Sequence, residues 1–163
     1  MVPAELSEPA AAVARLLRAR KETLAVAESA AGGLISAALV AVPGASAYYR
    51  GGFVIYTVDG AKEMLAGAPA IPPGARGASE PFAKWLALSA ATKLGADWGI
   101  GETGAAGPTG NPYGDPAGHA WVALSGPGNA IRANHVLTGS ADRSGNMAAF
   151  SLAALGFLRE SLA

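Results

Sequence analysis

The sequence of 163 residues contains no cysteine, which excludes disulfides, thiolate nucleophiles and cysteine-based zinc sites. It contains only two histidines, neither of them in the loops that follow the first three predicted strands, so a serine–histidine–aspartate triad is an unattractive proposal. His119 and His135 stand sixteen residues apart on predicted strands, without carboxylate or cysteine companions. We therefore interpret both as structural residues and expect no metal site.

Charge of either sign is also scarce. Lys+Arg and Asp+Glu number 12 each, and charged residues make up 15% of the chain, against roughly 25% in ordinary soluble domains. A net charge of zero provides no electrostatic footprint for nucleic acid or an anionic membrane, so neither is expected as a partner. The hydrophobic fraction of 51% suggests that some apolar surface is covered in a homo-oligomer.

Long hydrophobic runs are missing as well. The longest, near Leu34 to Val42, is much shorter than the roughly 20 residues of a membrane-spanning helix. The N-terminus lacks the basic, apolar and small-residue segments of a signal peptide, so a cytoplasmic location is expected. No repeat, low-complexity tail or linker divides the chain, and we expect one domain over residues 1–163.

Hydrophobic periodicity predicts helices that alternate with the early strands. Helices are expected at about residues 8–20, 34–42, 79–94 and 142–162, with a short one around Lys62. Strands are expected at Thr23–Glu28, Phe53–Thr57, Asp97–Thr103, His119–Leu124 and Ala130–Thr138, the last two as a hairpin around Pro127-Gly128. This order predicts an α/β fold with a mixed sheet covered on both faces.

Ligands in such folds bind where strands end and helices begin, so the loops after the first three strands are the candidate site. After the first strand, Ser29 precedes Gly32-Gly33 at a helix start. Free backbone N–H groups and the helix dipole there can bind a phosphate or stabilise an oxyanion. The alternative is that Ser29 only caps the helix and the glycines permit a tight turn.

The next two loops carry a phenol, an amine and a set of glycines. Tyr56 and Lys62 follow the second strand, and a lysine is the natural base for a serine that lacks a histidine. A solvated surface lysine and a tyrosine packed on the sheet are the alternatives. The third loop begins at Thr103-Gly104 and contains Gly107, so its backbone can approach a ligand closely, although it could equally be a lid or a surface excursion.

Together the three loops resemble the C-terminal domain of the competence- and damage-inducible CinA family, the nicotinamide-mononucleotide amidohydrolases. Three blocks in order carry the resemblance: Ala27-Glu28-Ser29 with Gly32-Gly33, Val42-Pro43-Gly44-Ala45-Ser46 through Arg50-Gly51-Gly52-Phe53-Val54-Ile55-Tyr56 to Ala61-Lys62, and Thr103-Gly104 with Ala106-Gly107-Pro108 and Gly118. They extend over most of the chain from about residue 22 to 160. Each block is unspecific alone, but the combination is specific.

The resemblance implies hydrolysis of the carboxamide of nicotinamide mononucleotide to nicotinate mononucleotide and ammonia, a step of pyridine-nucleotide recycling without metal or other cofactor. It also implies a three-layer α/β/α fold with a mixed, mostly parallel sheet of about five strands, a homo-oligomer, and a small-molecule nucleotide as partner. Some members carry an additional N-terminal domain related to molybdopterin-binding proteins. Because 163 residues leave no room for it, the resemblance implies a stand-alone form.

The resemblance assigns roles residue by residue. Ser29 would attack the amide carbon, Lys62 would act as general base and then acid, and Tyr56 would orient or shuttle the proton. Backbone N–H groups near Gly32 and Gly33 would hold the oxyanion. The residues expected to bind substrate are Glu28, Gly32, Gly33, Thr103, Gly104, Gly107 and Arg143.

The chain departs from the family pattern at three points. Ala30-Ala31 replaces Cys-Thr, and Met147 replaces an arginine expected one turn after Arg143. The family runs Tyr-Ser-Asn-x-x-Lys, whereas one extra residue separates Tyr56 from Lys62 here. A turn could absorb that residue, but if the helix absorbs it, the lysine rotates by about 100° and leaves the site. A diverged nucleotide-binding member without the chemistry is therefore the alternative function.

Overall fold

Ten helices and strands build the fold, and the computed structural model describes all residues from 1 to 163. The helices are α1 (Ser7–Arg20), α2 (Leu34–Val40), α3 (Val58–Met64), α4 (Glu80–Leu94) and α5 (Arg143–Leu162). The strands are β1 (Leu24–Glu28), β2 (Tyr49–Val54), β3 (Trp98–Ala105), β4 (His119–Gly126) and β5 (Ala130–Leu137). None of the helices combines the length and the apolar character that crossing a lipid bilayer requires.

The five strands form one sheet in the order β2-β1-β3-β4-β5. Strand β1 is parallel to both β2 and β3, whereas β4 is antiparallel to both β3 and β5. Four strands therefore point the same way and only β4 opposes them, which confirms the predicted mixed, mostly parallel sheet. Every residue of β1 is buried because the strand is central and covered on both faces.

Helices cover the two faces of the sheet with separate apolar cores. On one face α1, α2 and α5 pack on the sheet through residues such as Leu17, Ile35 and Leu155. On the other face α3 and α4 supply Ala61 and Leu86. The predicted three-layer α/β/α architecture is confirmed.

Helix α4 lies in close contact with β3. A Cβ added at Gly101 would lie 2.5 Å from the Ala87 backbone nitrogen, and one added at Gly99 would lie 2.9 Å from the Ala87 carbonyl carbon. No side chain larger than hydrogen therefore fits at either glycine without a shift of the helix.

The second strand lies earlier in the sequence than predicted. Strand β2 spans Tyr49–Val54 and not Phe53–Thr57, and it pairs with β1 from Leu24↔Tyr49 to Glu28↔Val54. Gly51-Gly52 was expected to open the strand but lies inside it. The side chains of Ser36 and Tyr49 leave no room for a side chain at Gly52, so a glycine is required at this position within the strand. The helix predicted to reach Val42 ends at Val40.

Candidate ligand-binding cleft

A cleft lies at the carboxyl ends of β1, β2 and β3, and it consists of two adjoining cavities of about 340 and about 220 Å³. The larger cavity is lined by Ser29, Tyr56, Thr103 and Gly104, among others. The smaller shares Tyr56 and Gly104 with it and adds Gly107 and Arg143. The structure thus brings together six of the ten predicted site residues, whereas Glu28, Gly32, Gly33 and Lys62 line neither cavity.

Ser29 stands at the cleft wall immediately after β1. Its backbone N–H donates to Glu102 Oε2 at 2.9 Å, and its hydroxyl makes no hydrogen bond within the protein. Helix α2 begins five residues later, with Gly33 as its N-cap and no side-chain cap. Ser29 therefore does not cap the helix, and its hydroxyl is available to a ligand.

Glu28 caps helix α2 instead. Its buried carboxylate accepts hydrogen bonds from the Ile35 N–H at 3.0 Å and from the Ser36 N–H at 3.1 Å. Burial raises the pKa of Glu28, while hydrogen bonds from backbone amides act in the opposite direction. The predicted role of Glu28 in substrate binding is not supported, because its carboxylate is turned into the protein.

Glu102 is the residue that sequence reasoning missed. Its fully buried side chain lies in β3, and its Oε2 accepts from the N–H groups of Ser29 and Ala31, each at 2.9 Å. Its Oε1 has no hydrogen-bond partner. Burial raises the pKa of Glu102 to about 7. The available signal was a carboxylate in the middle of an otherwise buried strand, which is costly unless the strand has a polar neighbour.

The amides of the glycine pair face the protein and not the cleft. The Gly32 N–H donates to the Ser29 carbonyl at 3.0 Å, and the Gly33 N–H lies close enough to Glu28 to lower its pKa. A Cβ added at Gly32 would lie 2.7 Å from Met147 Cε, so the methionine covers this turn. The Gly32 amide is therefore already engaged within the turn, and the Gly33 amide is directed at the Glu28 carboxylate, so neither is free for an oxyanion in this arrangement.

Lys62 lies outside the cleft. Helix α3 begins at Val58, directly after the N-cap Thr57, whose hydroxyl accepts from the Gly60 N–H at 3.0 Å. The helix therefore absorbs the extra residue, which is the second of the two predicted alternatives. Ala61 is buried, whereas Lys62 is exposed and forms no hydrogen bond or ion pair within the protein.

Tyr56 and Arg143 meet across the cleft. Arg143 Nη2 donates to the Tyr56 hydroxyl at 2.7 Å, and Nη1 donates to the Gly107 carbonyl. Arg143 thus links the start of α5 to the loops after β2 and β3. Tyr56 is 66% exposed and lines both cavities, so the alternative that it packs against the sheet is wrong.

Another part of the cleft wall, at Ala78 and Thr103, is held by buried polar contacts. Thr103 Oγ1 accepts from the Ala78 N–H at 3.0 Å, and His119 Nε2 lies 2.7 Å from the Ala78 carbonyl oxygen. His119 Nδ1 in turn lies 2.7 Å from His135 Nε2. These contacts give both histidines structural partners, and no group of three or more potential metal ligands occurs in the structure.

A second unpredicted feature is Tyr113, in the long loop after β3. The loop is held by Arg76, which makes two hydrogen bonds to the Asp115 carboxylate at 2.7 and 3.2 Å. The Arg76 hydrogen bond is the main cause of a lowered pKa at Asp115. The guanidinium also lies 4.7 Å from the centre of the Tyr113 ring, which is 54% exposed and lines the larger cavity.

Comparison with known proteins matches this arrangement to one family. The model of the CinA C-terminal domain matches residues 6–162. A CinA-like protein of Anaeromyxobacter sp. (strain Fw109-5) is 44% identical over 155 residues, which are 94% of this chain and 37% of that protein. A CinA-like protein of Synechococcus sp. (strain CC9902) is 45% identical over 118 residues, 72% of this chain and 28% of that one. The chain thus spans 37% and 28% of the length of these two curated relatives.

Solved structures agree over the whole chain. The competence/damage-inducible protein CihA from Agrobacterium tumefaciens has a TM-score of 0.88 at 29% identity, covering 99% of this chain and 98% of that one. A CinA superfamily protein from Klebsiella pneumoniae 700603 has a TM-score of 0.82 at 31% identity, covering 96% of this chain and 97% of that one. The fold is therefore the one that these proteins share.

Proposed function

The chain belongs to the CinA family, and on that premise we propose that its cleft binds nicotinamide mononucleotide or a closely related pyridine nucleotide. The observation that carries the proposal is that Ser29, Tyr56, Thr103 and Arg143, which come from four separate segments, line one continuous cleft.

The chemistry of the cleft suits the two ends of such a ligand. The exposed rings of Tyr56 and Tyr113 offer stacking surfaces for a planar pyridine ring. Arg143 lines the smaller cavity, and its guanidinium can donate a charge-assisted hydrogen bond to a phosphate. The ring would then occupy the larger cavity and the phosphate the smaller.

Hydrolysis of the carboxamide is the second candidate function, and the free Ser29 hydroxyl at the cleft wall favours it. In that reaction Ser29 Oγ attacks the amide carbon, the C–N bond breaks with release of ammonia, and water hydrolyses the ester to nicotinate mononucleotide. A base must first accept the Ser29 proton. A Ser29–Lys62 pair requires α3 to turn until the lysine amine reaches the cleft, and binding alone is for that reason the better supported function.

The test combines calorimetric binding of nicotinamide mononucleotide with assays for ammonia and nicotinate mononucleotide. Arg143→Ala should weaken binding about tenfold, the equivalent of one charge-assisted hydrogen bond. Arg15→Ala removes an exposed arginine without partners on α1 and should leave binding unchanged. Absence of binding by the folded native chain contradicts the proposal.

The same assays decide the second function. Turnover that disappears in Ser29→Ala would establish the hydrolase, and its loss in Lys62→Ala would show that α3 moves during the reaction. Binding without turnover would leave a nucleotide-binding protein that lacks the chemistry.

A further inference from the structure

Two buried carboxylates accept the backbone N–H groups of the β1–α2 turn, the place where an external anion would otherwise bind. Glu28 binds the first amides of α2, and Glu102 binds those of Ser29 and Ala31. Both side chains have no exposed surface. A hydrophobic residue at position 102 would leave the Ser29 and Ala31 amides without an acceptor.

We propose that Glu102 is a positioning residue for Ser29, that it fixes the Ser29–Ala31 turn against the cleft through two backbone hydrogen bonds, and that this hold strengthens when Glu102 loses its proton. The physical reason is that a carboxylate accepts stronger hydrogen bonds than a neutral acid does. The inference rests on the proposed function only for the ligand, since the contact between Glu102 and the turn is independent of what the cleft binds.

The surroundings of Glu102 put its titration in the neutral range. Burial opposes ionisation and so does the negative charge of Glu28, whereas the Ser29 and Ala31 amides favour it, and the resulting pKa is about 7. The facing residue on β4 is Val122, which carries no charge. The unpartnered Oε1 adds to the cost of the charged form. Loss or gain of a proton at Glu102 therefore changes the strength of the hydrogen bonds that its Oε2 accepts from the Ser29 and Ala31 amides.

A merely structural role for Glu102 predicts a different result from a proton-sensitive one. Glu102→Gln keeps an oxygen that can accept from both amides but cannot titrate. Glu102→Leu removes the acceptor as well. A structural role requires only the acceptor, whereas the proposal also requires a pH dependence that glutamine abolishes.

The direct test follows the amide resonances of Ser29 and Ala31 by NMR in the full chain between about pH 5.5 and 8.5. We expect both resonances to move together in the native chain with a midpoint near 7, and to stay still in Glu102→Gln. Glu63→Gln, which removes an exposed carboxylate on α3, is the matched control and should titrate like the native chain. Resonances that do not titrate in the native chain, or that still titrate in Glu102→Gln, overturn the inference.

The functional test measures binding of nicotinamide mononucleotide over the same pH range. The ligand phosphate titrates identically in every variant, so the difference between native and Glu102→Gln isolates Glu102. We expect this difference to follow the same midpoint, and Glu102→Leu to bind about tenfold more weakly. If neither protein binds the nucleotide while the amides still titrate, the proposed function fails and the positioning role stands. If Glu102→Leu does not fold, Glu102→Gln decides alone.

Discussion

At the scale of single residues, the turn after β1 is built around two internal anions. Glu28 lies at the N-terminus of α2, where the backbone N–H groups and the helix dipole favour negative charge. Because the chain fills this position itself, a nucleotide phosphate would have to compete with a carboxylate there. Arg143 lines the smaller cavity of the cleft and is the cation to which the proposed function assigns the ligand phosphate.

The raised pKa of Glu102 makes stability depend on pH in a defined direction. The folded state holds the proton more tightly than the unfolded state, because the pKa rises from 4.5 to about 7. The stabilising contribution of Glu102 is therefore complete below about pH 4.5 and is lost as the pH rises through 7. Glutamine cannot ionise, so the stability of Glu102→Gln relative to native should rise by roughly 3 kcal/mol between about pH 5 and pH 8.

Urea unfolding of both proteins across this pH range measures the difference, and Glu63→Gln again provides the control. A difference that stays constant with pH would mean that Glu102 keeps one protonation state throughout. The unpartnered amide group of the glutamine adds a penalty of its own, but that penalty is the same at every pH.

Tyr113 should contribute to recognition of the pyridine ring. We expect Tyr113→Ala to weaken binding of nicotinamide mononucleotide about tenfold, because the stacking surface is lost, and Tyr113→Phe to stay within about twofold of native. Calorimetry on the three proteins measures both effects. Equal affinity of the alanine variant would exclude Tyr113 from the binding surface.

At the scale of secondary structure, α3 decides what Lys62 can do. The helix turns the small Ala61 into the core and leaves Lys62 in solvent, because a hydroxyl N-cap starts it directly after Tyr56. The family pattern places the lysine five residues after the tyrosine, and in this chain that position is held by the buried Ala61. A lysine substituted there would be buried among apolar residues.

Substitutions at two neighbouring positions of α3 should therefore differ in their effect on stability. Lys62→Ala should change the free energy of unfolding by less than about 0.5 kcal/mol, because the side chain is exposed and has no partner. Ala61→Lys should lower the free energy of unfolding by roughly 2 kcal/mol or more, since it buries a charge without a counter-charge. Chemical denaturation measures both. A large loss in Lys62→Ala would show that the lysine has a contact in solution that this arrangement lacks.

The contact between α4 and β3 gives a second pair of expectations. Gly101→Ala should destabilise the protein by about 1–3 kcal/mol, because the new methyl group would meet the backbone of α4. Gly156 is the matched control: it lies inside α5 with nothing within 4 Å of an added Cβ, so Gly156→Ala should stabilise by roughly 0.5–1 kcal/mol. Thermal unfolding distinguishes the two, and a neutral Gly101→Ala would mean that α4 can move away from the sheet.

At the scale of the whole molecule, the exposed apolar surface supports the expectation of a homo-oligomer. Strand β2 is at one edge of the sheet, and its last residue, Val54, is 46% exposed. Val58, the first residue of α3, is 55% exposed and also lines the larger cavity. We expect light scattering to give a multiple of the 16.1 kDa chain mass, and the double substitution of both valines to glutamate to reduce it. A native chain that stays at the monomer mass at about 100 μM would contradict this.

Much of the arrangement could be predicted from the sequence because parallel strands end at the same edge of a sheet. Ser29, Tyr56, Thr103 and Arg143 were expected together on these grounds and on the family resemblance, and the structure brings them to one cleft. The position of β2 could not be predicted, because Gly52, which looks like a strand boundary, lies inside the strand where the side chains of Tyr49 and Ser36 leave no room for a larger residue.

The sequence by itself determined the α/β class, the family and the edge of the sheet at which the cleft lies, because periodicity and loop motifs are local properties of the chain. Only the tertiary structure decided which groups face each other in that cleft. Glu102 reaches Ser29 across 73 residues of sequence, and Arg143 reaches Tyr56 across 87. Lys62 turns away because of one added residue in a helix. Hydrogen bonds depend on ångström-scale distances that only the packing of strands and helices sets, and no local pattern encodes those distances.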